Sequence, residues 1–111
     1  MGLQIEPKDV PARIRAGAFL LDVRERDEWE ASHVEGATLI PLDELEVRMA
    51  ELPLDREVIC MCRSGRRSAE AQELIERTRC HAPAYNMAGG ILRWAESGLP
   101  VVGEKPVKPC P

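Results

Sequence analysis

The order of segments in this chain predicts an α/β domain, a parallel sheet with helices packed on both faces. Two observations carry that expectation. Short, nearly unbroken apolar runs recur, foremost at residues 19–23 and 58–61, and such runs form strands when both faces of a parallel sheet are covered. Segments with the i, i+3, i+4, i+7 spacing of amphipathic helices stand between them, so strand and helix alternate. A chain of 111 residues suits one domain and can bury roughly two-thirds of its unfolded surface, so neither disulfides nor a metal are needed as staples.

The elements follow in order. Residues 3–5 make a first short strand, 19–23 a buried one, and 38–40 another before Pro41. Asp43 suits the N-cap of a helix running through Leu52 and stopping before Pro53. The strand at 58–61 leads into a helix over 64–79, whose apolar stripe is Ala71, Leu74, Ile75 and Thr78. A strand at 84–87 precedes a helix over 91–97, opened by Gly89 and Gly90 and closed by Gly98 and Pro100. From Gly103 onward three prolines oppose regular structure. The domain is therefore expected over 1–102, with a proline-rich flexible tail at 103–111.

The formal net charge of −4 argues against nucleic acid or an anionic membrane as partner, since both are bound largely by neutralising phosphate. The N-terminus lacks a basic stretch leading into an apolar run, Glu6 stands where a myristoylation signal wants Ser or Thr, and no apolar run is long enough to span a bilayer. A cytoplasmic, soluble protein is expected. In that setting four cysteines are catalytic or buried rather than a disulfide framework.

One cysteine stands apart. Cys62 directly follows the most convincing buried strand, and Arg63-Ser64-Gly65-Arg66-Arg67-Ser68 leads from it into a helix. In open parallel sheets ligands sit outside the carboxyl ends of the strands. There the helix dipole, free backbone N–H groups and a flexible Gly65 favour a thiolate and a bound anion. Neighbouring guanidinium groups are expected to lower the thiol pKa further. Three arginines without an acid at a helix N-terminus oppose the dipole, and an anionic substrate would account for them. Cys60, two positions back on the strand, reads instead as a small buried hydrophobe.

The segment Cys62-Arg-Ser-Gly-Arg-Arg-Ser68 resembles the active-site loop of the rhodanese family. Leu21-Asp-Val-Arg24 resembles that family's first signature, Ser32-His-Val-Glu-Gly-Ala37 through Pro41 its second, and Asn86-Met-Ala-Gly-Gly-Ile91 with Trp94, Gly98 and Pro100 its closing motif. The resemblance runs from about Leu3 to Val102. It implies a five-stranded parallel sheet and thiosulfate sulfur transfer through a persulfide on Cys62, with cyanide or a thiol as acceptor and no metal or cofactor. It also implies that the loop from Arg63 to Ser68 holds the substrate, with Arg63, Arg66 and Arg67 unranked, and that Asp22, Arg24 and His33 give structural support.

Three alternatives share parts of this pattern. A persulfide carrier that delivers sulfur to an accepting protein would use the same Cys62 chemistry. A rhodanese-fold phosphatase would need a loop one residue longer, with Arg where Ser68 stands. A redox pair with Cys60 lacks C-x-x-C spacing and lies near or beyond disulfide reach. Cys110 on the tail is an incidental thiol in this reading, Cys80 lies in an irregular turn, and zinc on Cys60, Cys62, Cys80 and His81 has no knuckle to hold it.

Overall fold

The computed structural model describes residues 2–78 and 83–106. Along the chain lie β1 (Leu3–Ile5), α1 (Val10–Arg15), β2 (Phe19–Asp22), α2 (Arg26–Ala31), β3 (Ser32–His33), β4 (Thr38–Leu39) and α3 (Leu42–Leu45). There follow β5 (Val58–Met61), α4 (Arg66–Thr78), β6 (Ala84–Met87), α5 (Gly90–Glu96) and β7 (Val102–Gly103). Five strands form one sheet in the order β1-β6-β5-β2-β4, each pair of neighbours parallel. No described helix is long and apolar enough to cross a membrane.

Alternation along the strands sorts the core into two layers. Leu21, Val23, Val58, Cys60 and Cys62 pack with Leu45 of α3 and with Ala71 and Ile75 of α4. Leu20, Ile59, Met61 and Met87 face the other way, against Val10 of α1 and Ile91 and Trp94 of α5. Both faces of β5 are thus covered, which is why Val58–Met61 is apolar at every position and buried throughout. From β2 the chain moves outward to β4, and from β5 it moves to β6 on the opposite side. The carboxyl ends of β2 and β5 therefore flank the point where the winding reverses, where such sheets hold their ligands.

The structure departs from the sequence reading in four places. Helices α1 and α2, six residues each, are too short for a periodic stripe to register. The helix expected over 43–52 ends at Leu45, and a separate 3-10 turn follows at Met49–Glu51. Pro41, not Asp43, stands at its N-cap, so Asp43 and Glu44 fall in its first turn. Arg48 leaves helical geometry, with its N–H shared between the carbonyls of Glu44 and Leu45.

The fourth departure concerns the tail. Val102 and Gly103 form a strand antiparallel to Ser32 and His33, and the Glu104 N–H donates to the Ala31 carbonyl at 2.8 Å. A Cβ at Gly103 would lie 2.4 Å from the Ala31 oxygen, so only glycine admits this approach. The boundary expected at 103 falls inside a paired strand. Residues 107–111, with Cys110, and the turn expected at Cys80 and His81 lie outside the described residues.

Candidate active site

The loop after β5 is fixed before any side chain is considered. The Val23 N–H donates to the Met61 carbonyl at 2.9 Å, carrying the β2–β5 pairing to the last residue of the strand. The next two carbonyls, of Cys62 and Arg63, accept from the N–H groups of Ile91 and Leu92 at 2.8 and 3.2 Å. The first turn of α5 thus draws these carbonyls to itself. A Cβ at Gly90 would sit 2.4 Å from both oxygens, and φ there is +61°. This is the physical need behind the second glycine of the pair at 89–90.

With its carbonyls committed, the loop turns its N–H groups toward sulfur. The Gly65 N–H donates to Cys62 Sγ at 3.0 Å, and Ser68 Oγ lies 3.4 Å from it. Gly65 reaches this geometry at φ +106°, in the region that favours glycine. Burial alone would raise the Cys62 pKa, but the Ser68 hydroxyl and the backbone N–H groups of Ser68, Gly65 and Ser64 outweigh it and leave the thiol below its ordinary value. Cys60, 0% exposed on the same face, has no such donors among the described residues, and burial drives its thiol far up. Two cysteines, one within the strand and one just past its end, therefore differ in chemistry because only the second stands where backbone donors converge.

The three arginines stand apart from the groups that act most strongly on the thiol. Arg67 is engaged with Glu28 of α2 through paired contacts of 2.6 and 3.0 Å, and the charge of Cys62 enters only as a lesser influence on it. Arg66 is exposed. Arg63 borders a cleft of about 280 Å³ shared with Arg24, Glu28, Ile91, Lys105 and Pro106. Ser64 is exposed at the loop's outer side. A larger apolar cleft of about 470 Å³, between Pro11, Ile14, Val34, Trp94 and Leu99, includes no residue of the thiol loop.

The remaining site residues expected from sequence are placed as follows. Asp22 and Arg24, 0% and 2% exposed, form a buried ion pair at the end of β2. Arg24 also donates to the Ser32 carbonyl at 2.7 Å, tying α2 and β3 to the sheet edge. His33 stacks on Trp29 with ring centroids 4.0 Å apart, and its Nδ1 lies 3.0 Å from the Trp29 carbonyl. Trp94 is buried, its Nε1–H donating to the Pro100 carbonyl at 2.8 Å. Among the described residues no group of His, Cys, Asp or Glu side chains could hold a metal ion.

Two residues at the site were given no role from sequence, although Asn86 opens the closing motif. Glu28 accepts from the Glu25 N–H at the start of α2 as well as pairing Arg67. Asn86 on β6 accepts from the Ser68 hydroxyl at 2.6 Å and donates to the Gly65 carbonyl at 3.0 Å. A signal for Asn86 was available: it is the one amide in the otherwise apolar strand Ala84–Met87, and a buried amide must be satisfied by something.

Residues 6–97 match the family described as the Rhodanese-like domain. The chain is 36% identical over 84 residues to a sulfurtransferase of Allochromatium vinosum, covering 76% of this chain and 78% of that protein. A rhodanese-related protein from Thermoplasma volcanium superposes with a TM-score of 0.81 at 32% identity, over 92% of this chain and 99% of that one. A thiosulfate sulfurtransferase from Pseudomonas aeruginosa gives a TM-score of 0.81 at 25% identity, over 96% of this chain but 21% of that longer one.

Proposed function

The chain belongs to the rhodanese-like domain family of sulfurtransferases, and we propose that it carries sulfane sulfur from thiosulfate to a thiophilic acceptor through a persulfide on Cys62. The observation that carries this reading is the Cys62 sulfur, held by Gly65 N–H at 3.0 Å in the turn between the carboxyl end of the central strand and α4. The fold shared with the thiosulfate sulfurtransferase of Pseudomonas aeruginosa supports thiosulfate as the donor.

The reaction runs in two displacements. The Cys62 thiolate attacks the outer sulfur of thiosulfate, a sulfur–sulfur bond forms, and the bond within thiosulfate breaks with its electron pair leaving on sulfite. An acceptor thiolate or cyanide then attacks the terminal sulfur and Cys62 leaves as thiolate. Negative charge stays within the loop at each stage, so the N–H groups of Ser64, Gly65 and Ser68 serve both half-reactions. Arg63 and Arg66 supply positive charge for the incoming dianion, while Arg67 is held by Glu28 and supports the loop.

The test is thiocyanate formation from thiosulfate and cyanide, paired with mass spectrometry of the intact chain after thiosulfate alone. Wild type should form thiocyanate and gain one sulfur on Cys62, and Cys62→Ala should do neither while keeping its circular dichroism spectrum. Full activity in Cys62→Ala, or a sulfur adduct on another cysteine, would overturn the assignment. A stable Cys62 adduct with negligible turnover to cyanide would refute the free enzyme and favour delivery to an accepting protein. Phosphomonoester hydrolysis without sulfur transfer would replace both.

A further inference from the structure

We infer that Asn86 is a positioning residue for the Cys62 thiolate, acting through its grip on the Gly65 carbonyl. The inference rests on Cys62 being the reacting thiol of the reading above. Asn86 is 5% exposed and sits on β6 opposite Cys60, one strand away from the loop it holds. Its Nδ2 donates to the Gly65 carbonyl at 3.0 Å, and its Oδ1 accepts from Ser68 Oγ at 2.6 Å. Both partners are themselves donors to Cys62 Sγ or in contact with it. One amide therefore fixes two sides of the sulfur's surroundings.

The two arms differ in what they do for charge on sulfur. Ser68 has one hydroxyl proton. It is directed at Asn86 over the shorter distance, so pointing it at a thiolate exchanges one hydrogen bond for another. The Gly65 N–H has no rival acceptor among its described contacts, and its aim depends on a backbone at φ +106° that the Asn86 amide holds from the far side of the residue. The Ala69 N–H also donates to the Gly65 carbonyl, at 3.3 Å, so losing the shorter Asn86 contact loosens that residue and lets its N–H turn from sulfur. On this inference the hold on Gly65 is the larger of the two effects, so loss of Asn86 disfavours the thiolate, and a lowered midpoint would show that freeing the Ser68 hydroxyl for sulfur dominates.

The charged and titratable groups around the loop remain in place in such a variant. They are Cys60 on β5, Arg63 of the loop, Arg66 at the start of α4, the Arg67–Glu28 pair joining α4 to α2, the buried Asp22–Arg24 pair, Arg93 and Glu96 of α5 with Glu6, and Glu104 and Lys105 beside the Arg63 cleft. A change in the titration of Cys62 on substituting Asn86 therefore reports on the hydrogen bonds.

The experiment is the pH dependence of Cys62 alkylation by iodoacetamide, read by peptide mass spectrometry, which requires no sulfur donor or acceptor. Asn86→Ala and Asn86→Ser are compared with wild type; serine retains an acceptor but is too short to reach the Gly65 carbonyl. In both variants the midpoint should rise by about one pH unit, so that alkylation below both midpoints slows about tenfold. The Gly65 amide resonance, which should titrate with Cys62 in wild type, should lose that response. A midpoint unchanged or lowered in a folded variant overturns the inference, as does a Gly65 resonance that still tracks Cys62. Failure of sulfur transfer in wild type would leave these readouts intact and would bear only on the preceding reading.

Discussion

Asp22→Asn offers the sharpest test of how the site's edge is held. In wild type the Arg24 guanidinium meets the Asp22 carboxylate through Nε at 3.0 Å and Nη2 at 2.8 Å, and the Arg24 backbone N–H adds a third contact at 3.0 Å. Both side chains are out of water. The substitution keeps the size of residue 22 but removes the counter-charge, leaving a buried guanidinium solvated by neutral oxygens alone, those of the new amide and of the Ser32 and Glu28 carbonyls. Breaking a buried pair in this way costs about 3–5 kcal/mol. At about 2.1 cal/mol/K of unfolding entropy per residue, a chain of 111 residues loses roughly 4 °C of Tm per kcal/mol. The expected fall is thus roughly 12–20 °C, followed by circular dichroism and repeated in urea at 25 °C. A fall below about 4 °C would refute the reasoning. The paired replacement Asp22→Leu with Arg24→Met, which leaves no orphaned charge, should recover most of the loss, and no recovery would show that the cost lies elsewhere than in the buried charge.

Two further outcomes follow from the same geometry. The folded Cys62 pKa lies below its ordinary value, so the ionised group stabilises the fold. That contribution is absent below the folded pKa, grows as pH rises through it, and is complete above the unfolded value of about 8.5. The urea midpoint of wild type relative to Cys62→Ala should therefore rise with pH across this window, and a flat or falling difference would contradict the assignment of donors to sulfur. Gly90→Ala places a Cβ 2.4 Å from two backbone oxygens at a positive φ, whereas Gly36→Ala, at φ +91°, meets nothing within 4 Å. Gly36→Ala should cost about 1–2 kcal/mol from backbone conformation, and Gly90→Ala clearly more, with slower Cys62 alkylation. Equal costs in thermal melts would remove the steric account of the glycine pair.

Much of the architecture was legible because burial on both faces leaves a mark that needs no partner to read. The strands Phe19–Asp22 and Val58–Met61 are apolar because helices cover them on both sides, and Cys62 is visible as the first residue beyond the second. The helix over Arg66–Thr78 is long enough for its stripe to register. Short elements were not legible. Val10–Arg15 is anchored by the buried Val10 and Arg26–Ala31 by the capping box of Glu25 and Glu28, and the pairing of Gly103 with Ser32 joins segments far apart in sequence.

The roles of the charged and polar groups divide along the same line. Sequence by itself determined that one cysteine ends a central strand and opens onto a glycine-containing turn at a helix start, because strand burial and turn chemistry are local properties. It also suggested that arginines tune that thiol, because three of them stand beside it. Only the tertiary structure showed Glu28 of α2 engaging Arg67, the start of α5 drawing off the Cys62 and Arg63 carbonyls, and Asn86 of β6 gripping Gly65. The physical reason is the short range of hydrogen bonds. What lowers the Cys62 pKa is a set of donors within about 3.5 Å, and most of what holds those donors comes from elements that meet the loop only once the sheet has been wound.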